Sequence, residues 1–178
     1  IENFQTLKQR LQEEGFQFLS KTDSEVISHL IASALAQQTD TNGNPHVRLE
    51  SAVKVAISHL RGTYGLVAIF RDQPDVMIAA RLGSPLVVGV GNGEHFVASD
   101  ASALAGYTDK IVYLADHQVA VVTAETLAVS HRDQGQIKHL VEPLKIESGN
   151  VELNGYPHYM LKEIFEQPKS LEDAMRGR

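Results

Sequence analysis

Large apolar residues recur at three- and four-residue spacing over roughly the first third of the chain and alternate afterwards, so a helical beginning gives way to a strand-rich remainder. Phe4, Leu7 and Leu11 share one stripe behind Asn3, a candidate N-cap, and Gly15 is placed to end that helix in a left-handed conformation. Phe16-Gln17-Phe18-Leu19 alternates loosely and predicts a short strand before the polar turn Ser20-Lys21-Thr22-Asp23, where Thr22 or Asp23 is positioned to cap a helix. From Ser24, the set Val26, Ile27, Leu30, Ile31, Ala34 and Leu35 makes the two-wide stripe of a helix packed on a larger surface. Gln37 to His46 holds turn residues and no large apolar ones, which predicts a solvated loop. A third helix is predicted from about Leu49 to Arg61, with Gly62 as its stop.

Beyond Gly62 the period becomes that of strands: Tyr64 to Phe70, Val76 to Arg81, Leu86 to Val90, His95 to Ala98, Lys110 to Leu114, Gln118 to Val122, Leu127 to His131 and Gln136 to His139. Arg71 to Asp75, Gly91-Asn92-Gly93 and Asp133-Gln134-Gly135 are spacers of the kind that join antiparallel neighbours. Continuous apolar runs at Ala68-Ile69-Phe70 and Leu86-Val87-Val88 place part of the sheet under cover on both faces. Near the end, Met160, Leu161, Ile164 and Phe165 form a helical stripe; Pro168 is expected to break it, and Ser170-Leu171-Glu172-Asp173 resembles the capping box of another helix. Helices, then many strands, then helices indicate an α+β fold.

Composition narrows the chemistry. The chain has 178 residues, 43% hydrophobic and 21% charged, and a formal net charge of −6. That balance gives no positive field for nucleic acid or anionic lipid, so neither nucleic acid nor membrane is expected as a partner. It contains no cysteine, which closes thiolate and disulfide chemistry to these residues and makes the cytoplasm the default compartment. Its eight histidines form no close metal pair, so no metal or cofactor is predicted. Gly89 to Gly93 precedes a strand instead of opening a helix and reads as a hairpin turn. Arg81-Leu82-Gly83-Ser84-Pro85 reads as a turn that is also able to support a ligand. Asp23 stands before a strongly amphipathic helix, where the positive end of the helix dipole favours its charge. On the residues alone it is either a plain helix cap or a ligand-binding carboxylate.

Three blocks, in order, resemble the glutaminase domain of the glutamine:fructose-6-phosphate aminotransferases. Ile1-Glu2-Asn3 and Ser20-Lys21-Thr22-Asp23-Ser24-Glu25-Val26-Ile27-Ser28-His29-Leu30 resemble that family's I-E-N and S-E-T-D-T-E-V-I-A-H-L. Leu60-Arg61-Gly62-Thr63-Tyr64-Gly65, Ala79 to Gly89 and Phe96-Val97-Ala98-Ser99-Asp100 resemble L-R-G-A-Y-G, A-A-R-x-G-S-P-L-V-I-G and F-x-A-S-D. Tyr156 to Pro168 resembles Y-R-H-Y-M-x-K-E-I-x-E-Q-P. The loop from Thr39 to Val47 stands as an insertion.

The resemblance implies an N-terminal-nucleophile hydrolase fold, an αββα sandwich of antiparallel sheets, here incomplete at the N-terminus, with an unpaired strand edge. It implies a partial glutaminase domain over 1–155, and over 156–178 a helical end and linker towards sugar isomerase domains outside this chain. L-Glutamine is the implied ligand, with Asp23 matching the Asp that pairs with its α-ammonium. The family's nucleophile in Cys-Gly-Ile, its H-T-R-W-A-T-H-G segment and its oxyanion-hole Asn-Gly would all precede Ile1, leaving no catalytic residue within these 178. Fructose 6-phosphate would bind through the other domains, and the full-length protein would be a homodimer. A second reading is a catalytically dead relative that keeps the scaffold to bind a ligand or partner.

Overall fold

The computed structural model describes residues 1–38, 43–144 and 153–176, which fall into two units, Ile1–Leu144 and Lys145–Arg178. The first unit opens with α1 (Phe4–Glu13), α2 (Asp23–Gln37) and α3 (Pro45–Ser58). Leu7 and Leu11 are the buried residues of α1, and Gly15 follows with φ +95°, the left-handed value only glycine takes freely. Asn3 precedes α1 but gives it no side-chain cap; its amide instead donates to the His59 carbonyl at 2.8 Å and accepts from Arg61 N–H at 2.9 Å. The N-terminal segment is thereby tied to the end of α3.

Phe16 to Leu19 forms no strand: Phe16 and Phe18 pack on the helical core, while Leu19 is 96% exposed. Anchoring by two aromatic rings explains their alternation without a strand partner. The expected solvated loop before the third helix is shorter than its composition predicts, because Asn44 accepts from His46 N–H at 3.0 Å and Pro45 opens α3. Asn followed by Pro is a helix start here, the proline having no N–H to leave unsatisfied. Residues 39–42 of the expected insertion lie outside the described residues.

Two antiparallel sheets follow. One has the order β1 (Tyr64–Phe70), β2 (Gln73–Leu82), β6 (Gln118–Val122), β7 (Leu127–His131), β8 (Gly135–Gln136). The other has the order β4 (His95–Ala98), β3 (Val87–Val90), β5 (Lys110–Tyr113), β9 (Glu142–Pro143). The strand expected over Gln136 to His139 amounts to the short β8, and β9, too brief to show a period, was not legible. A short 3₁₀ helix, Ala101–Leu104, starts at Asp100, whose carboxylate accepts from Ser102 N–H at 2.7 Å.

Alternation along the central strands divides the interior into two layers. Val76, Ile78 and Ala80 of β2 and Val119 and Val121 of β6 join the helices in one core. Ala79 of β2, and Ala120 and Val122 of β6, meet Val88 and Val112 of the second sheet in the other. The first sheet is therefore covered by helices on one face and by the second sheet on the other.

The crossing between sheets depends on Gly83 (φ +76°), where a Cβ would come within 2.5 Å of Thr63 Cγ2. Gly83 N–H donates to Asp116 Oδ1 at 2.9 Å, and the Arg81 guanidinium donates to the Leu114 carbonyl. Of the two readings of Arg81 to Pro85, these bonds fit the turn.

In the second unit, α4 (Tyr159–Arg176) runs unbroken through Pro168, where a break was expected. The proline forfeits one hydrogen bond, to the Ile164 carbonyl, while helical turns on both sides hold the axis, so Ser170 lies inside the helix and starts no new one. The Tyr156 ring stacks on Phe165 with centroids 5.7 Å apart.

Among the described residues no strand pairs with the outer edge of β1, whose sequence has no charge or proline. Val67 and Ile69 point to the inter-sheet side yet are 42% and 77% exposed, since the second sheet does not reach them. Beside this edge, Ile27, Ile31 and Leu35 of α2 and Leu66, Ala68 and Phe70 of β1 line an apolar groove of about 670 Å³. Such an edge templates pairing with another chain. The 178-residue chain is expected to self-associate in sedimentation velocity at micromolar concentrations, and Val67→Lys with Ile69→Lys to shift it towards monomer; equal association of the variant would place the contact elsewhere.

Candidate functional site

α2 begins at Asp23, so this residue is the first of the helix and not its cap; Thr22 holds the cap position with extended backbone (φ −79°, ψ 149°) and no side-chain cap bond. At the first helical position a carboxylate lies beside unsatisfied N–H groups at the positive end of the dipole. The Asp23 side chain is 42% exposed, open to a ligand from one side.

Its Oδ2 accepts a hydrogen bond of 2.5 Å from the Ile1 backbone nitrogen. The placement of Ile1 does not rest on that bond alone. Glu2 N–H donates to the Arg61 carbonyl at 2.9 Å, Asn3 holds His59 and Arg61, and the Ile1 side chain, 3% exposed, packs on the helical core. Glu2 also lies against Gly62, whose φ of +103° turns the chain from α3 towards β1. The Asp23 carboxyl is held below its ordinary range, first by the bond from the Ile1 nitrogen and then, against the opposing pull of burial, by its own and Ser24's N–H groups.

Two residues downstream, Glu25 accepts from Leu19 N–H at 2.6 Å, Ser20 N–H at 2.7 Å and Ser20 Oγ at 2.5 Å. Sequence reasoning singled out Asp23 and passed over Glu25. The signal was present: Thr22-Asp23-Ser24-Glu25 has the capping-box spacing, in which the third residue of the helix reaches back to donors before it. The Ser20 hydroxyl is the chief cause that lowers the Glu25 carboxyl to about 2, with the Leu19 N–H next. His29 Nε2 stands 3.7 Å from Glu25 Oε1, and the His29 ring packs against Phe16 and Phe18 at centroid distances of 5.1 and 4.6 Å.

Asp23 is not among the residues that line the apolar groove, although its neighbour Ser24 is. The groove's lining is mainly aliphatic, with Arg71, Asp72 and Gln73 at one end. Among the described residues no group of three or more acidic or histidine side chains is arranged to hold a metal ion, and no helix is long and apolar enough to cross a membrane.

The architecture is that of an N-terminal-nucleophile hydrolase: antiparallel sheets face to face with helices against one of them. A glutamine phosphoribosylpyrophosphate amidotransferase from B. subtilis, solved with ADP and GMP, has the same fold at TM-score 0.57 and 21% identity, over 75% of this chain and 28% of that one. Residues 1–106 match the family described as glutamine amidotransferase domain. The chain belongs to that family. It is 43% identical over its whole length to a glutamine–fructose-6-phosphate aminotransferase (isomerizing) of Chlorobaculum tepidum, and 39% identical over 99% of its length to one of Thermococcus kodakarensis. It spans 28% of the length of each of these relatives.

The Glu25 shift sets a pH signature. Because its carboxyl falls from the ordinary 4.5 to about 2 on folding, the folded state binds fewer protons than the unfolded state between those values. The stability Glu25 contributes is then complete above 4.5 and lost as pH falls through about 2. Carboxyl-carbon NMR should show Glu25 still ionised at pH 3.5; a midpoint near 4.5 would mean that its three bonds do not form in solution.

Proposed function

We propose that this chain is the glutamine-binding part of a polypeptide that hydrolyses glutamine and uses the ammonia to convert fructose 6-phosphate into glucosamine 6-phosphate. Supporting this are the family match and the relatives near 40% identity, both of which carry that aminotransferase name. The observation that carries Asp23 into the reading is its half-exposed carboxylate at the first position of α2, inside the stretch that matches the amidotransferase family. Asp23 binds the ammonium of L-glutamine, fixing which end of the substrate faces this helix and so where the carboxamide lies.

With no cysteine among the 178 residues, the attacking thiolate comes from outside this stretch. That thiolate displaces ammonia from the carboxamide, leaving a glutamyl thioester that water hydrolyses to glutamate, and the thiolate is regenerated. This chain's residues bind and orient. They hold no proton in the reaction. Residues 1–155 act as the partial glutaminase domain and 156–178 lead towards the sugar-binding domains, in a cytoplasmic homodimer. The absence of cysteine also supports a second reading, a domain that binds an amino acid without cleaving it.

The full-length polypeptide is expected to form glucosamine 6-phosphate from fructose 6-phosphate and glutamine; tight glutamine binding without release of ammonia would support the second reading instead. Losing a charge-assisted bond at a half-exposed site costs about 1.4 kcal/mol, or tenfold. Asp23→Ala should therefore raise the KM for glutamine about tenfold while ammonia-dependent synthesis is unaffected. An unchanged KM would return Asp23 to a helix-start carboxylate without a ligand.

A further inference from the structure

The turn that delivers the chain to Asp23 is not held by packing. Leu19 is 96% exposed, and Ser20, Lys21 and Thr22 are exposed as well. Nor does the ordinary cap hold it, since the Thr22 hydroxyl makes no bond to the helix and pairs instead with Ser20 Oγ at 2.8 Å. A segment with so little buried apolar contact depends on its polar contacts to stay in one conformation.

Those contacts converge on one carboxylate. Glu25 takes Leu19 N–H, Ser20 N–H and Ser20 Oγ, all within 2.7 Å, and Ser20 Oγ in turn accepts from Thr22 N–H at 3.2 Å. Lys8 closes the turn from α1 by donating to the Ser20 carbonyl at 3.0 Å, with its ammonium 4.6 Å from the centre of the Phe18 ring. Bonds to an ionised acceptor are about twice as strong as neutral ones, and Glu25 stays ionised down to about pH 2.

We propose that Glu25 is a positioning residue for the ammonium-binding carboxylate: by clamping residues 19–20 it fixes the direction in which the chain enters α2, and with it the place of Asp23. It touches neither Asp23's carboxylate nor the ligand. Without the clamp the first turn frays, and the Asp23 oxygens spread over positions of which only one meets the ammonium. The inference rests on the reading of Asp23 as the ammonium holder and extends it to a residue with no ligand contact of its own.

The test uses the full-length polypeptide and four variants: Asp23→Ala, Glu25→Ala, the pair together, and Glu25→Gln. Glu25→Ala should raise the KM for glutamine about fivefold with kcat within twofold. In the Asp23→Ala background the same change should do nothing further, because the carboxylate being positioned is gone. Glu25→Gln, which keeps one acceptor oxygen and loses the charge, should fall between wild type and Glu25→Ala. Ser20→Ala removes the hydroxyl bond with less disturbance and should move KM in the same direction, so the question is answered even where Glu25→Ala folds poorly.

A lower kcat at unchanged KM would show a purely structural role for Glu25 and overturn the proposal. So would a KM effect that adds in full to that of Asp23→Ala. If Asp23→Ala itself leaves KM unchanged, the ammonium reading fails and takes this inference with it; if only the Glu25 variants leave KM unchanged, the reading of Asp23 stands and the positioning role falls.

Discussion

β2 from Val76 to Ala80 and β6 from Val119 to Val122 are covered on both faces, and the helices and the second sheet of the first unit take their places from them. Their odd and even positions must satisfy two different cores at once: Ile78 and Val119 the helical one, Ala79 and Ala120 the one between the sheets. The pairing of Ile78 with Val121 and Ala79 with Ala120 keeps the two sets apart. A slip of one residue would send each set to the wrong layer, so the register is fixed by burial on both sides. Small residues at 79 and 120 let the second sheet approach, while the larger ones opposite fill the space under the helices. α2 and α3 rest on that helical face, and the Asp23 carboxylate sits where α2 begins.

The period change near Gly62 made this plan legible. β1, β4, β6 and β7 fall where alternation places them, because each alternates between two apolar layers or lies between clear turn residues. What escaped was decided by single contacts, which leave no period. Asn44 and Pro45 look like loop residues until the asparagine oxygen meets His46 N–H. Pro168 looks like a terminator, yet one lost bond does not outweigh the turns around it. Phe16 and Phe18 alternate because two rings anchor an irregular segment, not because a strand is present.

The site divides along the same line. Asp23 came from a motif resemblance; residue physics alone left it between a cap and a ligand carboxylate, and the geometry places it at the first helical position, where a cap oxygen would not be. Glu25 carries the turn, and its spacing from Thr22 was the available clue. Ile1 could not be found from sequence at all, since nothing local in Ile-Glu-Asn says that residues near 60 will hold it beside α2.

The account turns on whether Asp23 recognises an α-ammonium, and a ligand pair differing only in that group isolates the question. L-Glutamate and glutarate, neither of which has an amide to cleave, can be compared by calorimetry on the full-length polypeptide and on its Asp23→Ala variant. The account predicts that the wild-type protein prefers L-glutamate about tenfold and that the variant binds the two alike. A preference that survives in Asp23→Ala would contradict it.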